Sequence, residues 1–198
     1  MLANTRGAIR ALATLLLITV ATQIFYITVV MAAGDETPLR PATWLLEELV
    51  FLGIVILGFD LAVRQADKAW LWLAVAISGL FNAVQVGMGL SMFAPAEKGS
   101  DSDPQLFATV LAGAFFFYFV AKLLLGAVAV VLGFGGFSTQ AGLVRRALAG
   151  LMVLSGLAAV GIDLLAILDS KSWLFPAGAA GTVATAFLAL GLLAAKAE

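Results

Sequence analysis

Six uninterrupted apolar runs constrain this chain more than any other feature in it. They lie near 10–32, 43–63, 69–94, 106–134, 145–168 and 173–195. A helix needs roughly 20 apolar residues to cross about 30 Å of hydrocarbon, and each run reaches that length. The runs do not alternate in the manner of short barrel strands. Composition agrees, with 63% of the 198 residues hydrophobic and only 12% charged; soluble domains carry about a quarter charged. One soluble core of this length could not hide so much apolar surface, so lipid must cover part of it. The expectation is an all-α polytopic membrane protein with six transmembrane helices, forming one domain over residues 1–198.

The first run resembles a signal peptide, with Arg6 and Arg10 before it and Ala32-Ala33-Gly34 after it. Its apolar stretch is longer than the 7–15 residues or so of a signal core, so it reads as a retained span. Lys and Arg then set the orientation. One set of ends carries Arg6, Arg10, Arg64, Lys68, Arg145, Arg146 and Lys196; the other carries only Arg40, Lys98 and Lys171. The first set is expected in the cytoplasm, with both termini, in an inner (plasma) membrane. The opposite loops hold Asp35, Glu36, Glu97, Asp101, Asp103 and Asp169. Residues 95–105 read as a polar outer turn, and Gly135, Gly136 and Ser138 as an inner connection. Trp44, Trp173, Trp70 and Trp72 fall where interface anchors belong.

The chain has no Cys and no His. The usual ligands of haem, copper and zinc are therefore missing, as are Ser-His and Cys-His catalytic pairs, and no cofactor is expected. No nucleophile elbow and no phosphate-binding loop is present. The net charge of −1 comes without a basic tail, which excludes nucleic acid as a partner. The bilayer is the partner expected, with a homo-oligomer or a membrane partner subunit as further options.

A shift of 103 residues aligns Gly53, Gly58, Asp60 and Leu61 with Gly156, Gly161, Asp163 and Leu164. Lys68, Trp70 and Leu71 then meet Lys171, Trp173 and Leu174, and ten of the 33 pairs from Leu49 to Phe81 are identical. Halves 1–103 and 104–198 would each hold three spans, and an odd number inverts one half relative to the other. Such 3+3 inverted repeats recur in secondary transporters, with sites at the repeat interface. Similarity among Gly-rich apolar helices is the plainer explanation.

Charged groups inside spans are costly and point to function. Lys122 lies roughly 24 Å and Asp60 roughly 25 Å from the outer ends of their spans, at 1.5 Å per residue. Similar depth suggests an Asp60–Lys122 ion pair, coupling or merely fixing register. Asp163, Glu47, Glu48 and Gln85 lie nearer the outer boundary and suggest an acidic outer site. Adjacent positions point about 100° apart, so only one of Glu47 and Glu48 can face it. Asn82 and Gln85 share a face and are expected to bond to a neighbouring helix. Phe115, Phe116, Phe117, Tyr118 and Phe119 cover every side of one helix; an apolar ligand could stack there, although lipid contact and packing are commoner roles. Gly53, Gly58, Gly87, Gly89 and the stretch 177–181 mark close helix packing.

The stretch from Phe116 through Leu165, with FYFVAKLLLGAVAVVLGF and GLVRRALAGLMVLSGLAAVG, resembles an uncharacterised bacterial family of six-span integral membrane proteins, a domain of unknown function. WLLEELVFLGIVILG matches it more weakly. The resemblance implies a six-span fold and bacterial origin, and no activity or site residue. That family is pictured with a charged pair in the third span, where this chain has Asn82 and Gln85. Two functions follow as expectations. One is a small transporter or channel-like protein using Asp60, Lys122, Asp163 and Glu48. The other is a non-catalytic accessory subunit or binder of lipid, quinone or pigment.

Overall fold

The computed structural model describes residues 4–34, 37–135 and 142–195. Asp35, Glu36, Gly136, Ser138 and Lys196 lie outside the described residues. The described residues form six long helices: α1 (Thr5–Ala33), α2 (Leu39–Arg64), α3 (Ala69–Gly99), α4 (Leu106–Gly135), α5 (Leu143–Leu168) and α6 (Ser170–Ala194). All but α2 are long and apolar enough, by length and composition, to cross a membrane, α3 together with the 3₁₀ turn Ala66–Lys68 before it. The remaining helix matches them in length and carries Glu47, Glu48 and Asp60. The protein is thus all-α and membrane-like.

The helices close into a ring. Each packs on its neighbours in sequence, α1 also meets α6, and α4 leans inward to touch α6 as well. Leu12 and Leu16 of α1 meet Leu57, Leu61, Leu125, Val128, Leu188 and Leu192 in one apolar core. A second cluster joins Tyr118 and Phe119 to Ala166 and Ala177. The outside is equally apolar, with Ile56 66%, Leu154 68% and Leu168 84% exposed. An aliphatic belt of this kind is what a bilayer covers.

Small residues set the spacing where they face a partner. A Cβ on Gly58 would lie 2.9 Å from Ala76, and one on Gly126 would lie 3.0 Å from the Gly156 carbonyl oxygen. Gly87, expected at a packing face, has nothing within 4 Å of such a Cβ.

Three local expectations change. The outer turn begins later than expected, because α3 runs through Pro95 to Gly99. Pro95 removes one backbone donor near the end of a helix, where carbonyls are released to solvent in any case. Trp72 is 2% exposed and donates from Nε1 to Gln65 Oε1 at 2.7 Å, so it is no interface anchor. Trp44 turns inward, stacking on Tyr26 with ring centres 6.0 Å apart.

Candidate functional site

Tyr118 and Lys122 are one turn apart on α4 and share its inner face. Side chains on a helix lean towards its N-terminus, so Lys122 reaches back over Tyr118. Its Nζ stands 5.3 Å from the ring centre. The stem lies on α6, where a Cβ on Gly181 would come within 2.8 Å of Lys122 Cβ and Cγ. Glycine is what leaves room for it. Lys122 is 3% exposed.

Two carboxylates act on this ammonium, Glu47 from α2 and Asp163 from α5. Glu47 is 8% exposed and sits beside the Thr22 hydroxyl of α1. Asp163 is fully buried, and both of its carboxylate oxygens lack hydrogen-bond partners. Among the described residues neither carboxylate closes a direct ion pair on Lys122. The Tyr118 hydroxyl, beside Thr182 and Gly178 of α6, has no hydrogen-bond partner of good geometry. Five helices, α1, α2, α4, α5 and α6, thus contribute to the cluster. Buried polar atoms cost about 1–3 kcal/mol each when unsatisfied and usually take a partner from water or a ligand.

The cluster lies below a cavity of about 330 Å³ at the end of the ring that carries the α1–α2, α3–α4 and α5–α6 connections. Glu47, Gln85 and Gln23 supply polar lining. Its walls are aromatic, built from Tyr26, Trp44, Phe93, Phe107, Phe115 and Tyr118. A π-helical segment, Tyr26–Val30, interrupts α1 at this level. Such segments rotate the following side chains and frequently mark functional sites. Trp44 also meets Phe93 edge-on at 5.7 Å, and Phe93 meets Phe107 likewise at 5.7 Å. A second cavity of about 280 Å³ opens at the opposite end. Arg6, Arg10, Lys68 and Arg145 line it, from three separate segments of the chain.

The Asp60–Lys122 pair expected from depth is not formed. Asp60 Oδ2 accepts from Arg64 Nε at 2.7 Å, and the Asp60 side chain remains 29% exposed. Their levels along the bundle are close, since Ser78 Oγ bonds the Ala121 carbonyl and Gly58 packs on Ala76. Side-chain direction separates them: Lys122 leans to the far end, while Asp60 takes a partner on its own helix. Of the four residues assigned to an outer site, Glu47 and Gln85 line the cavity, while Asp163 is buried outside its lining and acts on Tyr118 and Lys122. Glu48 is half-buried, off the cavity.

The aromatic run divides. Phe115 and Tyr118 line the cavity, Phe116 is 49% exposed, Phe117 packs edge-on against Phe81, and Phe119 is buried. Asn82 does not bond a neighbouring helix; its Nδ2 donates to Ser78 of its own helix at 3.1 Å. Ser78 makes the cross-helix bond instead, at 2.8 Å. Sequence reasoning missed the roles of Tyr26, Trp44, Phe93 and Phe107. Their only common signal is position near one end of their helices. No family model, curated protein or solved structure matches the chain.

Proposed function

We propose that the chain is a six-span transporter or channel-like protein of the bacterial inner membrane, with both termini cytoplasmic. Its path runs along the bundle axis from the aromatic cavity, past Glu47, Lys122 and Asp163, to the basic cavity at the opposite end. One observation carries this reading: Lys122 is buried over Tyr118, which lines the aromatic cavity, and feels carboxylates of two other helices, of which Glu47 lines that cavity too. A pair that only fixed register would not need a third charge or a route to it.

The basic end supports the orientation, because Arg6, Arg10, Lys68 and Arg145 gather there. Cytoplasmic ends are the ones enriched in Lys and Arg. The inverted repeat gains support from its joints. Gln65 between α2 and α3 has φ −126°, ψ 69°; Asp169 between α5 and α6 has φ −143°, ψ 80°. Both are single-residue breaks, and the proposed topology puts them on opposite membrane faces. The environments of the paired aspartates argue the other way, since Asp60 is part-exposed and Asp163 buried.

A second reading, a binder of an apolar or amphipathic molecule, is favoured by the aromatic walls of the cavity. Accessibility separates the two. The chain has no Cys, so single cysteines report without background. Gln85→Cys is expected to react with an impermeant thiol reagent from outside and Lys68→Cys from inside. In a transporter Asn82→Cys, deeper on α3, reacts from both sides. Reaction of Gln85→Cys and Lys68→Cys from one side would overturn the topology. An Asn82→Cys reachable from one side only would favour the binder.

A further inference from the structure

We propose that the cavity between α1, α2, α3, α4 and α6 binds an organic monocation, an amine or quaternary ammonium of fragment size, held by aromatic rings and Glu47. The proposal rests on reading this cavity as the entrance to the site, and it names the ligand class.

Charge counting is the first argument. Lys122 with Glu47 and Asp163 sums to −1 when all three are ionised. A low-dielectric interior penalises uncompensated charge, and such groups persist where a partner completes them. With both acids ionised the excess is negative, and either a proton or a bound cation completes it. Glu47 is the member that reaches the cavity. A ligand that takes Glu47 leaves Lys122 and Asp163 as a neutral pair behind it.

The walls give the second argument. Tyr26, Trp44, Phe93, Phe107, Phe115 and Tyr118 line one space of about 330 Å³. Aromatic faces attract cations, most strongly when desolvated, and cages of them recognise alkylammonium groups. Two of the protein's own cations already use these rings. Arg40 stands 5.9 Å from the centre of the Trp44 ring at the mouth, and Lys122 stands over Tyr118 at the base. A small inorganic cation would want several oxygen ligands. Among the described residues no group of three or more His, Cys, Asp and Glu gathers that could hold a metal ion.

Among the described residues Arg40 is the cation lining the mouth. It is only part-buried and screened there, so it reduces entry without cancelling the buried excess. Among the described residues the charged and titratable groups lining the cavity are therefore Glu47, Arg40, Tyr26 and Tyr118, with Lys122 and Asp163 outside its lining.

The test is tryptophan fluorescence and calorimetry on the purified full chain in nanodiscs, titrated with benzyltrimethylammonium. Its neutral isostere, neopentylbenzene, is titrated in parallel. The cation is expected to bind and to perturb Trp44, the isostere to bind at least about tenfold more weakly. Glu47→Gln and Trp44→Leu should each weaken the cation at least about tenfold, while Arg40→Gln strengthens it. Each variant is checked for an unchanged melting profile, and Tyr26→Leu replaces any that unfolds. Equal affinity for the two probes, or no loss in Glu47→Gln, overturns the proposal in favour of a plain apolar site. Absence of binding by either probe overturns it too, and leaves the cysteine-accessibility reading of the path standing. Cation binding without two-sided accessibility retains the ligand class and removes the transport role.

Discussion

Lys122 Nζ lies 5.3 Å from the centre of the Tyr118 ring, with its aliphatic stem pressed on Gly181 of the neighbouring helix. The residue is thereby aimed back along α4 towards the cavity end, where Glu47 and Asp163 act on it. Removing its charge leaves two buried carboxylates without compensation. Breaking one side of a buried charge cluster costs about 3–5 kcal/mol. Lys122→Met is expected to lower the melting temperature sharply in detergent, and Glu47→Gln combined with Asp163→Asn should restore most of the loss. A Lys122→Met protein as stable as wild type would mean that the cluster is not held as a charged unit.

Gly181 and Gly161 form a matched pair of probes. A Cβ at Gly181 would meet Lys122 Cβ at 2.8 Å, whereas one at Gly161 has nothing within 4 Å. Gly181→Ala must displace the lysine stem and is expected to weaken cation binding together with stability. Gly161→Ala should be neutral, or stabilising by roughly 0.5–1 kcal/mol, since alanine loses less backbone entropy in a helix. Thermal unfolding of both variants, with cation titration of the first, checks the contrast.

Asp60 is the control among the embedded acids. Its partner is Arg64, four residues along the same helix, and both are part-exposed. Such pairs contribute about 0–1 kcal/mol. Asp60→Asn is expected to leave cation affinity and two-sided accessibility unchanged. A loss comparable to that of Glu47→Gln would place Asp60 back in the path.

The number of long helices could be read from the sequence because hydrophobic length is a one-dimensional property, but their ends only roughly: α3 runs on to Gly99. Depth was also legible: Lys122 and Asp60 do lie at similar levels. Rotation about the helix axis and the lean of the side chain were not, and these decide that Lys122 faces Glu47 and Asp163. The adjacent pair Glu47-Glu48 shows what local geometry can still give, since only one of two neighbours can face a site and Glu47 does. Trp44 was misread because a tryptophan near a span end serves equally at a lipid interface or in a cavity. Only the three-dimensional meeting of α1, α2 and α3, with the π segment at Tyr26, separates the two.

Asp169 fills the joint between α5 and α6. Its Oδ1 accepts from the Ser172 backbone N–H at 3.3 Å. Hydrogen bonds from the Ser172 side chain and backbone hold the carboxyl below the usual carboxylate range. A depressed folded value means that the cap stabilises above the unfolded value and is lost as pH falls through the folded one. Asp169→Ala should therefore melt lower than wild type at neutral pH, with the gap closing on acidification. Asp169→Asn, which keeps an acceptor, should fall between them. A gap that persists in acid would assign the effect to packing rather than to the cap.

The excess negative charge of the Glu47–Lys122–Asp163 cluster can be neutralised by a bound organic cation or by a proton, and the two compete for it. Raising the pH removes the proton and exposes the charge, so cation affinity rises; lowering the pH fills the site with protons, so affinity falls. Binding should also release protons, measured as a dependence of the calorimetric heat on the ionisation enthalpy of the buffer. Glu47→Gln removes the excess, and its weaker binding should be nearly flat with pH. Tyr118→Phe keeps the ring and removes the hydroxyl, so it should retain both the affinity and the pH slope, which separates the phenol from the carboxylates. If wild-type affinity is flat from mildly acidic to mildly alkaline solution, proton and cation do not share a charge. The cluster would then be a fixed structural element beneath the cavity.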